Sequence, residues 1–140
     1  MARTTYEQPA SNKAQQLINE IFKLGGIGYV ALCCGQEVLL REAPGMESRT
    51  TAESNFYEEL LVNPTLLKIA SQRADLDCGG LNYIAVGYGD FVQLIMLIKD
   101  GHISMGISRK AHAGELATRV QSVLQEHEQA WTPAAPWLLA

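Results

Sequence analysis

The side chains of this chain that could carry metal or nucleophile chemistry are three cysteines and three histidines. Zinc sites need ligands at short spacings such as Cys-x-x-Cys or His-x-x-x-His, and no pair here has such a spacing. Adjacent cysteines in a strand also point to opposite faces of a sheet. We therefore expect no metal, no cofactor and no catalytic thiol, but two small buried thiols and one loop thiol. The residues concerned are Cys33, Cys34, Cys78, His102, His112 and His127.

The roles of three other motifs can be inferred from the elements that surround them in the sequence. The glycines of 25–28 follow a helical pattern and open a strand, whereas phosphate-binding loops follow a strand and open a helix, so a helix stop is expected. Glu58 and Glu59 are adjacent in a predicted helix, where neighbouring side chains do not face each other. They are therefore predicted to lie on a solvated face and not to share a proton. The basic pair Arg109-Lys110 leaves two interpretations open, an ordinary loop surface and a partner-binding site.

The elements that position these residues are organised around 81–108, which reads as three consecutive antiparallel strands. The pairs Gly89-Asp90 and Asp100-Gly101 have the composition of two-residue hairpin turns. The middle strand, 91–99, is apolar on both of its sides. A layer of structure is therefore needed on each face of the sheet.

The rest of the chain supplies these layers. A first helix over 11–24, a hairpin of strands 27–34 and 37–41, a helical segment within 51–76 and a last amphipathic helix after 113 are expected. Proline inside a helix costs about 3 kcal/mol. Asn63 is therefore expected to cap, and Pro64 to begin, a second short helix, unless one sharply kinked helix forms.

The predicted domain organisation is a disordered lead-in over 1–10, one domain over 11–128 and an apolar tail over 129–140. The formal net charge of −4 offers no basic surface for nucleic acid or anionic lipid. No apolar run approaches the roughly 20 residues that span a bilayer, and the first residues lack the apolar core of a signal peptide. A cytoplasmic protein is expected.

The expected fold is α+β, a five-stranded antiparallel sheet with the first and last helices on one face and the middle helical segment on the other. This order resembles the roadblock/dynein light chain family, whose fold is profilin-like, and in particular its bacterial-type homodimeric members. The resemblance covers about 11–128 and is carried by GGIGYVALC after the first helix and by LNYIAVGYGDFVQLIMLIKDGHISMGISRKA before the last one. The chain departs from the family pattern at Gly35-Gln36, where an Asp-Gly-type pair is common, and at Asn63-Pro64, in a helix that is usually continuous.

The chain has more apolar and aromatic residues than the core of one small domain can bury. This excess indicates that some of them contact another chain. A profilin-like strand order places the strand of Tyr83 and Tyr88 at an edge, and a long uncharged edge invites pairing with another chain. Replacing Tyr88 with proline is expected to remove a strand donor and weaken that pairing. The expected dimer interface comprises Phe56, Tyr57, Leu60, Leu61, Leu81, Tyr83 and Tyr88. Arg109, Lys110, Trp131 and Trp137 are candidates for binding a partner, and for the two tail tryptophans docking on the domain itself and a loose tail are the alternatives.

The resemblance implies a non-enzymatic dimeric adaptor, in which edge strands join into one continuous sheet with the middle helices side by side. It also implies a role as a platform that binds or regulates a Ras-like small GTPase. An alternative of another class is a small-molecule-sensing module. That module would have a pocket for an apolar or aromatic ligand between the sheet and residues 63–76.

Overall fold

The computed structural model describes residues 12–35, 37–43, 57–99 and 101–127. In these ranges a π-helical segment runs directly into α2, and the two together are called the middle helix below. The elements in chain order are α1 Asn12–Phe22, β1 Ile27–Cys34, β2 Glu37–Glu42, the π-helical segment Glu58–Val62, α2 Asn63–Asp77, β3 Ile84–Gly87, β4 Val92–Ile98, β5 Gly101–Ile107 and α3 Ala113–Glu126. Among the described helices, none combines the length and the apolar character needed to cross a membrane.

The five strands form one antiparallel sheet in the order β2-β1-β5-β4-β3. The predicted sheet is confirmed, with β2 and β3 at its edges. β3 has only four residues, fewer than the eight of the expected strand over 81–88. β4 therefore extends beyond its outer neighbour.

One face of the sheet carries the main apolar core. Alternate residues of the central strands, such as Leu94 and Met96 of β4, point into it and are buried against α1 and α3. The helices contribute stripes at three- and four-residue spacing, because such residues share one side of a helix. These stripes are Ala14, Leu17, Ile18 and Ile21 of α1 and Leu116, Ala117, Val120, Val123 and Leu124 of α3.

The opposite face is covered by the middle helix. Its apolar cluster is small, with Ala31, Cys33 and Val38 buried beneath Leu60. The expected placement of the first and last helices on one side and the middle segment on the other is confirmed. What the sequence did not suggest is that this second layer is held to the sheet by polar groups as well.

The middle helix passes through Asn63-Pro64 without a break. The backbone of Val62 and Asn63 is right-handed helical, and the Asn63 N–H donates to the Glu58 carbonyl five residues earlier. The prediction that Asn63 caps a separate helix is therefore wrong. The π-helical segment ends just before Asn63-Pro64, and the missing N–H of the proline leaves one carbonyl of the preceding turn without a helical donor.

Two glycine assignments have different outcomes. Gly25 and Gly26, with φ of 83° and 78°, end α1 in the left-handed region, as the helix-stop interpretation predicted. Gly101 was expected in a turn, but it is the first residue of β5 and pairs with Ile98. A Cβ on Gly101 would overlap the carbonyl of Cys33, so glycine is needed there for the close approach of β1 and β5. Asp100 lies outside the described residues.

Candidate functional site

The buried polar group beneath the middle helix is the carboxylate of Glu59. His102 Nε2 lies 2.7 Å from Glu59 Oε1, and the Ser104 hydroxyl donates to Oε2 at 2.5 Å. The Asn63 amide donates to Oε1 at 3.1 Å from the next turn of the helix. All four side chains are almost fully buried. We call Glu59, Asn63, His102 and Ser104 the polar anchor, because they join the helix to β5.

The backbone at this point adds a further link. In π-helical spacing the Glu59 carbonyl would accept from residue 64, but Pro64 has no N–H. The Cys33 thiol of β1 donates to that carbonyl instead, at 3.7 Å. Burial, and then the nearby Glu59 carboxylate, raise the pKa of Cys33 to about 12. This cysteine is therefore a neutral packing group, as expected.

The prediction of a solvated face for Glu58 and Glu59 is wrong for Glu59, which is 2% exposed. A buried carboxylate is tolerated only when donors compensate its lost hydration, and the anchor supplies three. Partial burial and the Glu59 charge raise the pKa of the Glu58 carboxyl. A hydrogen bond from the Tyr88 hydroxyl, at 3.4 Å, acts in the opposite direction and lowers it. The two neighbours thus have different environments.

The anchor contains the residue types of a serine-hydrolase triad but not its geometry. In such triads the serine hydroxyl is hydrogen-bonded to the histidine, and the carboxylate orients the histidine from its other side. Here the Ser104 hydroxyl donates to the carboxylate itself and is fully buried. The arrangement ties a helix to a sheet. Among the described residues, no three His, Cys, Asp or Glu side chains are grouped as metal ligands would be.

Beyond the anchor, an aromatic row leads to the edge of the sheet. The Tyr29 ring lies edge-on to Phe91 with centroids 6.1 Å apart, and Phe91 stacks on Tyr88 at 5.4 Å. Burial and the Glu59 charge raise the pKa of Tyr29 above its usual range. Since Tyr88 also contacts Glu58, the start of the middle helix and the β3–β4 turn are connected.

The outer side of the middle helix carries four exposed apolar side chains among polar ones. Tyr57, Leu61, Ile69 and Leu76 are between 51% and 79% exposed, whereas lone exposed apolar residues are usually scattered. Of the other residues proposed for association, Tyr83 and Tyr88 are about two-fifths exposed, and Leu60 and Leu81 are half-buried. Phe56, Trp131 and Trp137 lie outside the described residues.

The backbone of β3 alternates between bonds to β4 and open positions. The Tyr88 N–H donates to the Phe91 carbonyl at 2.8 Å, closing the two-residue Gly89-Asp90 hairpin. In an antiparallel ladder the hydrogen-bonded pairs recur every second residue, so Ile84 and Val86 also face β4. Ala85 and Gly87 then direct their N–H and C=O groups outward. The expectation that Tyr88 offers a donor to a partner strand is therefore wrong, because that donor is used within the chain.

The remaining candidate site residues lie apart from the anchor. Arg109 and Lys110 are exposed in the turn between β5 and α3, where the Lys110 N–H donates to the Ser108 hydroxyl at 3.1 Å. Between the middle helix and the sheet is an open cleft of about 330 Å³, in the region where the ligand-sensing alternative expected a pocket. Its lining comprises Cys33, Gly35, Pro64, Leu67, Lys68, Ser71, Leu97, Gly101 and His102.

The sequence matches no protein-family model and no curated protein. The solved structures that are similar over most of its length include the following three. Gliding protein MglB from Thermus thermophilus has a TM-score of 0.62 at 11% identity, covering 91% of this chain and 93% of that one. MglB in a tetrameric arrangement has a TM-score of 0.62 at 12% identity, covering 93% and 95%. A Roadblock/LC7 domain from Streptomyces avermitilis has a TM-score of 0.59 at 12% identity, covering 81% and 92%.

These similarities define the class of fold. The chain is an α+β domain of the profilin-like type, and within that type it has the roadblock/LC7 fold.

Proposed function

We propose that this protein is a cytoplasmic, non-enzymatic adaptor that forms a homodimer and binds or regulates a Ras-like small GTPase. The observation that carries the proposal is the set of exposed apolar side chains on the middle helix, together with an edge strand that has outward-directed backbone groups. Exposed apolar surface of this kind is characteristic of protein interaction sites. The resemblance to the roadblock family supplies the kind of partner.

The dimer is formed in this proposal by antiparallel pairing of two β3 strands, which would give one continuous sheet. A pairing of identical edges is isologous, so it also brings the two middle helices together. One of the similar solved structures is a tetrameric arrangement of MglB, which supports self-association of the fold. The proposed contacts are Phe56, Tyr57, Leu60, Leu61, Leu81, Tyr83 and Tyr88.

The polar anchor gives this surface a fixed position. Glu59 lies between Tyr57 and Leu61 in the sequence, and its hydrogen bonds to His102 and Ser104 hold that turn of the helix against β5. A pre-positioned helix loses less conformational entropy on binding. The anchor is thus a positioning device for the surface above it. Arg109, Lys110, Trp131 and Trp137 are proposed to contact the partner.

The dimer is tested by light scattering during size exclusion over a concentration series. Ala85→Pro removes an outward N–H without removing a bond to β4, so it should weaken the dimer by at least about tenfold. Ala85→Val keeps the N–H and should leave the dimer intact. A wild-type monomer at all concentrations, or an Ala85→Pro variant that dimerises like the wild type, would contradict β3 pairing.

The partner is tested with purified Ras-like GTPases from the same organism, loaded with GDP or a non-hydrolysable GTP analogue. We expect one of them to bind preferentially in one nucleotide state. Lys110→Ser, at a residue proposed to contact the partner, should weaken that binding, whereas Gln125→Ser at an exposed position of α3 should not. Faster GTP hydrolysis in the complex would identify an activator, and an unchanged rate would identify a scaffold. Absence of binding to every GTPase would contradict the adaptor proposal.

A further inference from the structure

The cleft beneath the middle helix lies at the end of the sheet where β1 and β4 finish and β5 begins. Its helical wall is formed by Pro64, Leu67, Lys68 and Ser71, which follow the i, i+3, i+4, i+7 spacing of one helix side. That wall therefore presents two apolar groups, one ammonium and one hydroxyl in a single row. Its volume of about 330 Å³ is at the lower end of small-molecule sites.

The sheet surface that lines the cleft is largely apolar, and part of it is more exposed to solvent than is usual for a strand inside a sheet. Leu97 of β4 is 50% exposed, although its strand neighbours Met96 and Ile98 are buried. Leu97 lies beyond the end of the short strand β3, so no paired residue of β3 shields it. An apolar ligand lying on Leu97, Pro64 and Leu67 would remove this surface from water.

The polar groups at the cleft have unused capacity. Lys68 forms no ion pair with any residue that the structure describes. Within the same described ranges, the Ser71 hydroxyl is shielded from solvent and has no hydrogen-bond partner. His102 also lines the cleft, with its Nε2 held by Glu59.

We propose that this cleft binds a small apolar carboxylate, with the hydrocarbon part against Pro64, Leu67 and Leu97 and the carboxylate at the Lys68 ammonium. Ser71 lies one helical turn from Lys68 on the same wall of the cleft. The carboxylate oxygens of Glu59 are buried and already hydrogen-bonded to Asn63, His102 and Ser104, so they offer no direct contact to a ligand cation. The site is independent of the adaptor role, because its lining includes none of the residues assigned to the dimer.

The test uses the full chain and three probes with the same eight-carbon tail: octanoate, octan-1-ol and octylamine. Backbone amide NMR shifts and calorimetry report where and how tightly each one binds. We expect saturable binding of octanoate, with shifts centred on Ser71, Leu97 and Gly101, and weaker binding of the alcohol and the amine. Equal binding of all three probes, shifts elsewhere, or no saturation by octanoate would overturn the proposal.

Two variants separate the head-group contact from the apolar one. Lys68→Gln should weaken octanoate binding about fivefold, the upper end of an exposed ion pair, and leave octan-1-ol unchanged. Lys110→Gln makes the same charge change at the exposed β5–α3 turn, away from the cleft, and should leave octanoate binding unchanged. Leu97→Asn should weaken both octanoate and octan-1-ol. Loss of octanoate affinity in Lys110→Gln equal to that in Lys68→Gln would show a net-charge effect and contradict the site. Light scattering on the same samples reports dimerisation separately.

Discussion

The carboxylate of Glu59 lies 2.7 Å from Nε2 of His102, and 43 residues of chain separate the two. The contact joins the covering helix to a central strand on the face with the smaller apolar cluster. Where apolar burial is limited, a satisfied polar network can fix the position of a helix that apolar packing alone would leave less defined. The outer surface of that helix thereby acquires a fixed position relative to the β3 edge.

Removing the Glu59 carboxylate should destabilise the fold strongly. Glu59→Ala leaves the donors of His102, Ser104 and Asn63 buried without an acceptor, and we expect a loss of about 3–5 kcal/mol. Urea unfolding at neutral pH measures this as a lower midpoint at similar m-value.

The matched control for that prediction is Glu115→Ala. Glu115 pairs with Arg119 at 3.1 Å on the exposed side of α3, so its removal should cost about 0.5 kcal/mol or less. If the two alanine variants had similar unfolding midpoints, the polar anchor would have no special role in stability.

Stability should fall in alkaline solution because of Cys33. Its pKa is raised to about 12 in the folded chain by burial, whereas an unfolded thiol ionises near 8.5. The folded state therefore binds more protons than the unfolded state above about pH 8.5. The stabilisation that the protonated Cys33 thiol gives the folded state is complete below about pH 8.5 and is lost as pH rises toward 12. The slope is up to about 1.4 kcal/mol per pH unit. Tyr29, whose pKa is also raised by burial, adds to the loss above about pH 10.

Urea unfolding between pH 7 and 10 measures this slope. Cys33→Ala should make it shallower, although the variant is less stable at neutral pH. Val38→Ala changes the same apolar cluster without removing an ionisable group and should keep the wild-type slope. Equal slopes in Cys33→Ala and the wild type would assign the alkaline loss to other groups.

The three thiols should react in an order set by their exposure. Cys78 is exposed at the end of α2, Cys34 is half-buried, and the buried Cys33 donates to carbonyl oxygens at 3.7 Å. In a time course with a thiol-reactive disulfide reagent, Cys78 should react first and Cys33 only as fast as the chain opens. A fast phase that persists in Cys78→Ser would contradict this order. The denatured variant should titrate one thiol fewer than the wild type.

Much of the fold follows from local patterns. The alternation along β5, the apolar run of β4 and the glycines after α1 define elements within one or two residues of their observed bounds. The prediction of a separate helix at Asn63-Pro64 is wrong because it depends on local propensity, which favours a cap at Asn63 and a first helical position at Pro64. The continuous helix depends instead on π-helical spacing and on a thiol of β1 facing the freed carbonyl, neither of which is a local property.

The polar anchor was missed for a related reason. Glu58 and Glu59 are identical in type and adjacent, so only the position of β5 beneath the helix distinguishes the buried one. A signal was nevertheless present, since His102 and Ser104 occupy the same side of a strand within a sheet that needs cover on both faces. Two buried polar side chains require a polar partner in the covering layer. A carboxylate on the middle helix is the group that meets the requirement.

Two glycines should resist substitution by alanine to different degrees. A Cβ on Gly106 would overlap the ring of Tyr29, which can shift at the expense of its contact with Phe91, so we expect a loss of about 1–3 kcal/mol. A Cβ on Gly101 would overlap the Cys33 carbonyl, and backbone cannot move without disturbing the β1–β5 ladder, so the loss should be larger. Gly87→Ala is the control, because a Cβ there meets nothing within 4 Å and should change stability by about 0.5 kcal/mol or less. Urea unfolding of the three variants should therefore rank Gly87→Ala as most stable, then Gly106→Ala, then Gly101→Ala. If Gly101→Ala were as stable as Gly87→Ala, the inference that β1 and β5 leave no room for a Cβ at this position would be wrong.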